Sequence, residues 1–234
     1  MMNNSYHALP PLIPEHLIER LSVLSPALLC DGMQKLGIPR NGCMDANLVP
    51  VDEHKTMIGT ACTVDTQDGD NLPIHVAIYQ GAPGYVLVIA GKAEKERAYL
   101  GDLLAGAAQA TGLRGIIVDG YVRDKEALAA LDIPVYARGF MPRGPIKEKE
   151  GKINTPVFCA GVNISPGDLI FGDADGVVVV PVNHLEEVLV NAETKLVYEQ
   201  QRRATIEAYK YARENNQPLP SLTPAWVTEL LSAK

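Results

Sequence analysis

The chain has 234 residues, 47% of them apolar, and 28 acidic against 21 basic side chains leave a formal charge of −7. That is enough apolar material for a sizeable core in one large or two small domains, and the acidic balance disfavours general binding to nucleic acid or anionic membranes. An anionic small substrate would therefore need a local cation or a metal to hold it.

The first fifteen residues lack both the basic region and the apolar stretch of a secretory signal. The most apolar runs, 85–90 and 176–182, fall far short of the roughly 20 residues of a spanning helix. A cytoplasmic protein with no membrane partner is expected. The four cysteines, Cys30, Cys43, Cys62 and Cys159, show no C-x-x-C pair, which fits reduced thiols better than a disulfide frame or a zinc site.

Residues 1–13, with Pro10-Pro11 and no apolar period, read as an arm. A helix over 14–24 follows, then a second with Ser25 as N-cap, Pro26 at its first position and Gly37 as its stop. Residues 38–55 read as loop with short strands, and 59–66, β-branched and alternating, as a strand. From residue 68 onward strand, turn and helix alternate, which predicts a mostly parallel sheet covered by helices. Asp68-Gly69-Asp70-Asn71 opens a helix to about residue 80, 85–90 is a buried strand, and Gly101 opens a helix to about residue 111. Strand 115–119, a short helix over 124–131 and strand 135–138 complete this part. Residues 155–181 hold short strands with Pro166-Gly167 and Asp173-Ala174-Asp175-Gly176 turns, the pattern of an antiparallel layer. A long helix runs from Asn183 as N-cap to about residue 215, roughly 45 Å at about 1.5 Å per residue, and part of it is expected to overhang onto another subunit. A short helix around Trp226 closes the chain.

The segments most able to carry chemistry are Gly101-Asp102-Leu103-Leu104 and Arg123-Asp124. About ten residues of helix and five of strand both span on the order of 16 Å, so helix 102–111 and strand 115–119 bring these segments back to one sheet edge. That edge is the carboxyl end of the strands, where open α/β sheets bind ligands. The free amides of residues 102–104 at a helix start suit a carboxylate, and Arg123 offers a charged planar fork for a carboxylate or an enolate oxygen. Asp124 is an available hard oxygen ligand and Asp102 faces it, a set suited to Mg²⁺ or Mn²⁺ with few protein ligands. The same residues also admit a plainer reading, a surface ion pair with two helix caps.

Lys92, after the strand ending at Ala90, could form a Schiff base with a carbonyl substrate, although its segment, Gly91 to Arg97, is charge-dense and suggests a solvated lysine. His75, one turn after Asn71, could line the site. On the long helix the apolar stripe Leu185, Val188, Leu189, Ala192, Leu196 continues to Glu199, which either pairs with Arg203 or belongs to an intersubunit site.

With these residues the chain resembles the RraA-like superfamily, and within it the metal-dependent 4-hydroxy-4-methyl-2-oxoglutarate / 4-carboxy-4-hydroxy-2-oxoadipate aldolases, over residues 25–205. The specific feature is an aspartate, twenty intervening residues and then Arg-Asp, here Asp102 and Arg123-Asp124. Gly69-Asp70-Asn71 with His75, the Gly-Asp-Leu-Leu turn, and Pro166-Gly167-Asp168 with Asp173-Ala174-Asp175-Gly176-Val177-Val178 support it. One departure is Ala127, where some family signatures carry an acidic residue, with Glu126 one position earlier.

The resemblance implies an α/β, three-layer β/β/α fold over one domain, 1–234, with an arm over 1–13 and a helical extension over 183–234. It also implies homotrimers or homohexamers with sites between protomers. Asp124 would ligate Mg²⁺ or Mn²⁺, Arg123 would bind the pyruvyl oxygen, and the amides of Gly101, Asp102, Leu103 and Leu104 would hold the pyruvyl carboxylate. Asp102 would bind metal waters, Glu199 of a neighbour would help relay protons, and Asn71 would reach the distal part of the substrate. The expected activity is retro-aldol cleavage of a 4-hydroxy-2-oxo (di)carboxylate to pyruvate and a second carbonyl compound, with oxaloacetate decarboxylation on the side. The alternative within the superfamily is a regulator that binds and inhibits ribonuclease E; those proteins lack the aspartate directly after the arginine, which this chain keeps.

Overall fold

The computed structural model describes residues 5–67 and 69–232; Asp68 and the first four residues of the arm lie outside them. In chain order the elements are α1 (Glu15–Leu21), α2 (Pro26–Gln34), β1 (Val49–Pro50), β2 (Met57–Asp65), α3 (Leu72–Tyr79), β3 (Tyr85–Ala98), α4 (Asp102–Ala110), β4 (Gly115–Val122), α5 (Lys125–Ala130) and β5 (Val135–Phe140). They continue as β6 (Lys152–Ile153), β7 (Val157–Cys159), β8 (Val162–Ile164), β9 (Leu169–Asp173), β10 (Gly176–Val180), α6 (Leu185–Glu214) and α7 (Ala225–Ser232).

Strands β2, β3, β4 and β5 pair in parallel, as the alternation of strand and helix predicts. Antiparallel strands extend the sheet on both sides, in the order β1-β5-β4-β3-β2-β9-β10, with β6 on β2. The period-2 geometry of β3 sends Leu87 and Ile89 to one face and Val86, Val88 and Ala90 to the other. The first face packs on α3 and α4 through Ile74, Ile78, Leu104, Ala105 and Ala108. The second is covered by the separate β7-β8 hairpin, through Val157, Cys159 and Ile164. The three expected layers, helices, sheet and a second β layer, are all present.

Several boundaries differ from the sequence reading. Strand β3 runs for 14 residues through the charged segment after Ala90, because irregular pairing of Glu94 and Ala98 with Gly120 and Tyr121 carries the ladder beyond the apolar run. Asn183 does not cap the long helix; it sits inside a short 3-10 turn, Val182–His184, and α6 starts at Leu185. Ser25 does cap α2, accepting a hydrogen bond from the Leu28 amide at 3.4 Å, and Pro26 opens the helix.

The chain divides into two compact units, Met1–Ala192 and Glu193–Lys234. In the first, α2 lies close against the opening turns of α6: a Cβ on Gly32 would fall 2.8 Å from the Val188 carbonyl. Leu185, Val188, Leu189 and Ala192 are buried there. In the second, the Trp226 indole N–H donates to the Tyr198 hydroxyl at 3.2 Å, and Arg202 donates to the Leu222 carbonyl at 2.9 Å.

Candidate active site

At the carboxyl ends of β3 and β4 the two segments singled out in the sequence are hydrogen-bonded to each other. The Tyr99 amide donates to the Tyr121 carbonyl at 2.8 Å, and the Arg123 amide to the Leu100 carbonyl at 3.0 Å. These two bonds place the start of α4 beside Arg123-Asp124. A cavity of about 300 Å³ opens there, and its wall includes Gly101, Asp102, Leu103, Leu104, Arg123 and Asn71.

Gly101 is the N-cap of α4, in extended backbone, and it has no side chain with which to satisfy the first amides of the helix. The donors of residues 102–104 and the positive end of the helix dipole are thus left for a ligand. A Cβ on Gly101 would overlap the Asp124 carboxylate and come within 3.0 Å of Arg123 Cγ. Glycine is required here for close approach, not for its torsion angles.

Asp124 holds φ 61° and ψ 48°, the left-handed region, and its carboxylate makes no capping bond to α5. That backbone is uncommon for a non-glycine residue, and aspartate is among the few that tolerate it. The carboxylate instead meets the Arg123 guanidinium, Nε to Oδ2 3.3 Å, with both side chains partly open to solvent. Asp124 therefore does not take the ordinary N-cap role that its position before α5 allows.

Asn71 is 3% exposed. Its Nδ2 donates to the Tyr99 carbonyl at 3.0 Å, while its buried Oδ1 has no partner among the described residues. An orphaned buried acceptor costs roughly 1–3 kcal/mol, and the residue that carries it belongs to the cavity wall.

Sequence reasoning missed the part of the wall built by residues 145–149. The buried Asp70 carboxylate accepts from the amides of Leu72 (2.8 Å), Glu148 (2.7 Å) and Lys149 (2.9 Å). The backbone of Gly69, Ile146 and Asn71 adds a short bridge, with both bonds at 3.0 Å. The Gly69-Asp70-Asn71 motif is thus the anchor of a distant loop, and that loop brings Lys147 to the cavity that His75 also lines. Burial and then the Lys147 charge lower the His75 pKa from its ordinary 6.5, so the imidazole is neutral at pH 7. The sequence showed Gly69-Asp70-Asn71 only as a turn before α3; nothing local links it to residue 147.

Lys92 is 57% exposed on its side chain and paired with Asp65 at 3.2 Å. It is absent from the cavity wall, and the solvated setting gives a Schiff base no support. Asp168, in the Pro166-Gly167-Asp168 turn, accepts from the Ser165 amide at 2.8 Å and the Val182 amide at 3.1 Å, a role in the fold. Glu199 lies in the second unit, where Arg203 donates to it at 3.3 Å.

Among the described residues no three His, Cys, Asp or Glu side chains cluster as a metal cage. The donor set at Asp124 fits a hard cation that keeps several waters and takes its remaining ligands from a substrate, the habit of Mg²⁺.

A protein with a mixed sheet, parallel in its central strands, between a helical and a β layer, and a cavity at the strand ends, belongs to the α/β class. The family model described as RraA-like, Aldolase/RraA, matches residues 26–179, and the chain belongs to that family. A relative from Halalkalibacterium halodurans, named "Putative 4-hydroxy-4-methyl-2-oxoglutarate aldolase", is 40% identical over 163 residues, 70% of this chain and 78% of its own. Among solved structures, RraAS2 of Streptomyces coelicolor, titled an unusual member of the RNase ES inhibitor RraA protein family, has a TM-score of 0.73 at 27% identity, covering 82% of this chain and 98% of its own. The RNA-processing inhibitor RraA from Thermus thermophilis has a TM-score of 0.56 at 28% identity, covering 59% of this chain and 84% of its own. The family thus joins proteins named as aldolases to proteins named as RNA-processing inhibitors. No helix among the described residues is long and apolar enough to cross a membrane.

Proposed function

We propose that the cavity at the start of α4 cleaves a 4-hydroxy-2-oxo (di)carboxylate by a retro-aldol reaction that depends on Mg²⁺ or Mn²⁺. The observation that carries this reading is the convergence of an uncapped helix start, Arg123 and Asp102 on one cavity, with the Asp124 carboxylate seated against Gly101. The relative from H. halodurans supports it by name.

In this reading the amides of residues 102–104 bind the carboxylate of the 2-oxo acid. Arg123 holds the 2-oxo oxygen and stabilises the negative charge that develops there as the C3–C4 bond breaks. A divalent cation beside Asp124 would supply Lewis-acid polarisation of the oxo acid. The C4 hydroxyl loses its proton through Asp102, directly or by way of a water, as the C4 carbonyl forms. The bonding pair of C3–C4 becomes the enolate, and protonation at C3 yields pyruvate. Asn71 Oδ1, an acceptor without a partner among the described residues, would take a substrate hydroxyl. Oxaloacetate would reach the same enolate by losing CO₂, so its decarboxylation is part of the proposal. A trimer or hexamer in which Glu199 of a neighbouring copy relays the proton completes it.

The test is pyruvate release from a panel of 4-hydroxy-2-oxo acids and from oxaloacetate, with excess chelator and then with restored Mg²⁺ or Mn²⁺. Turnover that is lost and regained supports the reading; turnover indifferent to the chelator overturns the metal requirement. The likeness to the RNA-processing inhibitors favours a second reading, a regulator that binds a ribonuclease. It predicts no turnover of any oxo acid together with a measurable ribonuclease complex.

A further inference from the structure

Cysteines that look scattered in the sequence are brought together away from the cavity. Cys30, in the middle of α2, and Cys43, just after the 3-10 turn Pro39–Gly42, have their sulfurs 2.7 Å apart as free, half-buried thiols. A disulfide needs about 2.05 Å. Both line a cavity of about 230 Å³ with Met44, Asp45 and Asp175, so a small solute can reach them. The chain between them is held in an unusual shape: Gly37, Arg40, Asn41 and Gly42 all have positive φ, and a Cβ on Gly42 would overlap the Val179 carbonyl. The pairing of the sulfurs is thus set by a turn pinned to β10 from below. The Arg40 guanidinium donates to the Cys43 carbonyl at 3.3 Å and to the Asp45 carboxylate at 2.9 Å, which ties the turn down on this side.

We propose that Cys30 and Cys43 form a dithiol that a hydroperoxide oxidises to an intramolecular disulfide, a reversible modification site separate from the catalytic cavity. Burial and then the hydrogen bond with Cys43 raise the Cys30 pKa, so Cys30 is assigned as the resolving thiol and Cys43 as the thiol that meets the peroxide. The Cys43 sulfur, giving up its proton to the leaving oxygen, attacks the O–O bond of the peroxide, which breaks to give a sulfenic acid and water. The Cys30 sulfur, losing its proton, then attacks the Cys43 sulfur and displaces the second oxygen as water. Two thiols and one hydrogen peroxide thus give one disulfide and two waters. A neutral peroxide suits a cavity lined by aspartates better than an anionic disulfide reagent. Cys62 and Cys159 are buried apart and serve as internal controls.

The experiment treats the full-length protein with hydrogen peroxide, alkylates the remaining thiols under denaturing conditions, and maps the peptides without reductant. The expected result is a Cys30–Cys43 cross-linked peptide within one chain, two alkylatable thiols left at Cys62 and Cys159, a melting midpoint raised by roughly 5–10 °C, and full reversal by dithiothreitol. In Cys30→Ser the Cys43 sulfenic acid should instead accumulate and be trapped by dimedone. Four thiols still alkylatable, single-cysteine sulfinic acids, or links between chains in place of the internal one would overturn the proposal. The wild-type peptide map decides it even where the variant does not fold.

Discussion

The α-carbon of Gly101 lies so close to the carboxylate of Asp124 that no Cβ can stand between them. This contact makes the first residue of the Gly-Asp-Leu-Leu turn and the last of the Arg-Asp pair a single unit, although they are far apart in sequence. It aims the carboxylate at the helix start and not at the amides of α5.

Gly101→Ala should therefore displace the Asp124 carboxylate and the Arg123 stem together. We expect pyruvate release to fall by about 10²-fold or more, because a shift of about 1 Å in a positioning contact has that effect, while far-ultraviolet circular dichroism stays native. Asp124→Asn should separate the two roles of the residue. Asparagine tolerates the left-handed backbone, so the melting temperature should stay within a few degrees while metal-dependent turnover is lost.

His75 gives a pH signature. Its folded pKa lies below its unfolded value of 6.5, so between those two values the unfolded chain binds more protons than the folded one. The stability this group contributes is complete above pH 6.5 and is lost as pH falls through the folded pKa. His75→Gln should flatten the fall in denaturation midpoint between pH 7 and pH 5. Lys147→Met removes the neighbouring positive charge and should move the His75 proton titration, followed by NMR, back up towards 6.5, though not fully, because burial is the larger cause.

Asp70→Ala should cost about 2–4 kcal/mol in chemical denaturation, since one buried carboxylate accepts from three backbone amides. It should also weaken substrate binding, read as a raised KM, by releasing the loop that carries Lys147. An unchanged KM would show that the loop keeps its place through the Gly69, Ile146 and Asn71 backbone bonds alone.

Asn71→Leu replaces the orphaned acceptor with an apolar side chain of similar size. If Oδ1 takes the substrate hydroxyl, turnover of 4-hydroxy-2-oxo acids should fall by roughly 10-fold or more, whereas decarboxylation of oxaloacetate, which has no such hydroxyl in its oxo form, should fall much less. Equal losses for both substrates would assign Asn71 to the Tyr99 carbonyl only.

Local chemistry was enough to read the alternation of strands and helices, the Ser25-Pro26 helix start and the return of residue 123 to the edge where α4 begins. Each rests on the rise per residue and on apolar period, quantities the sequence carries within a few turns of chain. The same period failed beyond Ala90, where charged residues continue β3 through pairing with Gly120 and Tyr121, and at Asn183, which lies inside a 3-10 turn.

What the linear sequence determined is therefore the family, the layers and the edge at which the chemistry-bearing residues gather. Only the tertiary structure decided that Asp70 reaches amides 78 and 79 residues away, that Lys147 and His75 line one cavity, that Gly101 admits the Asp124 carboxylate, and that Cys30 meets Cys43. The reason is physical: periodicity is written along one element, whereas a buried carboxylate finds its donors and a glycine its neighbour only once separate elements have packed.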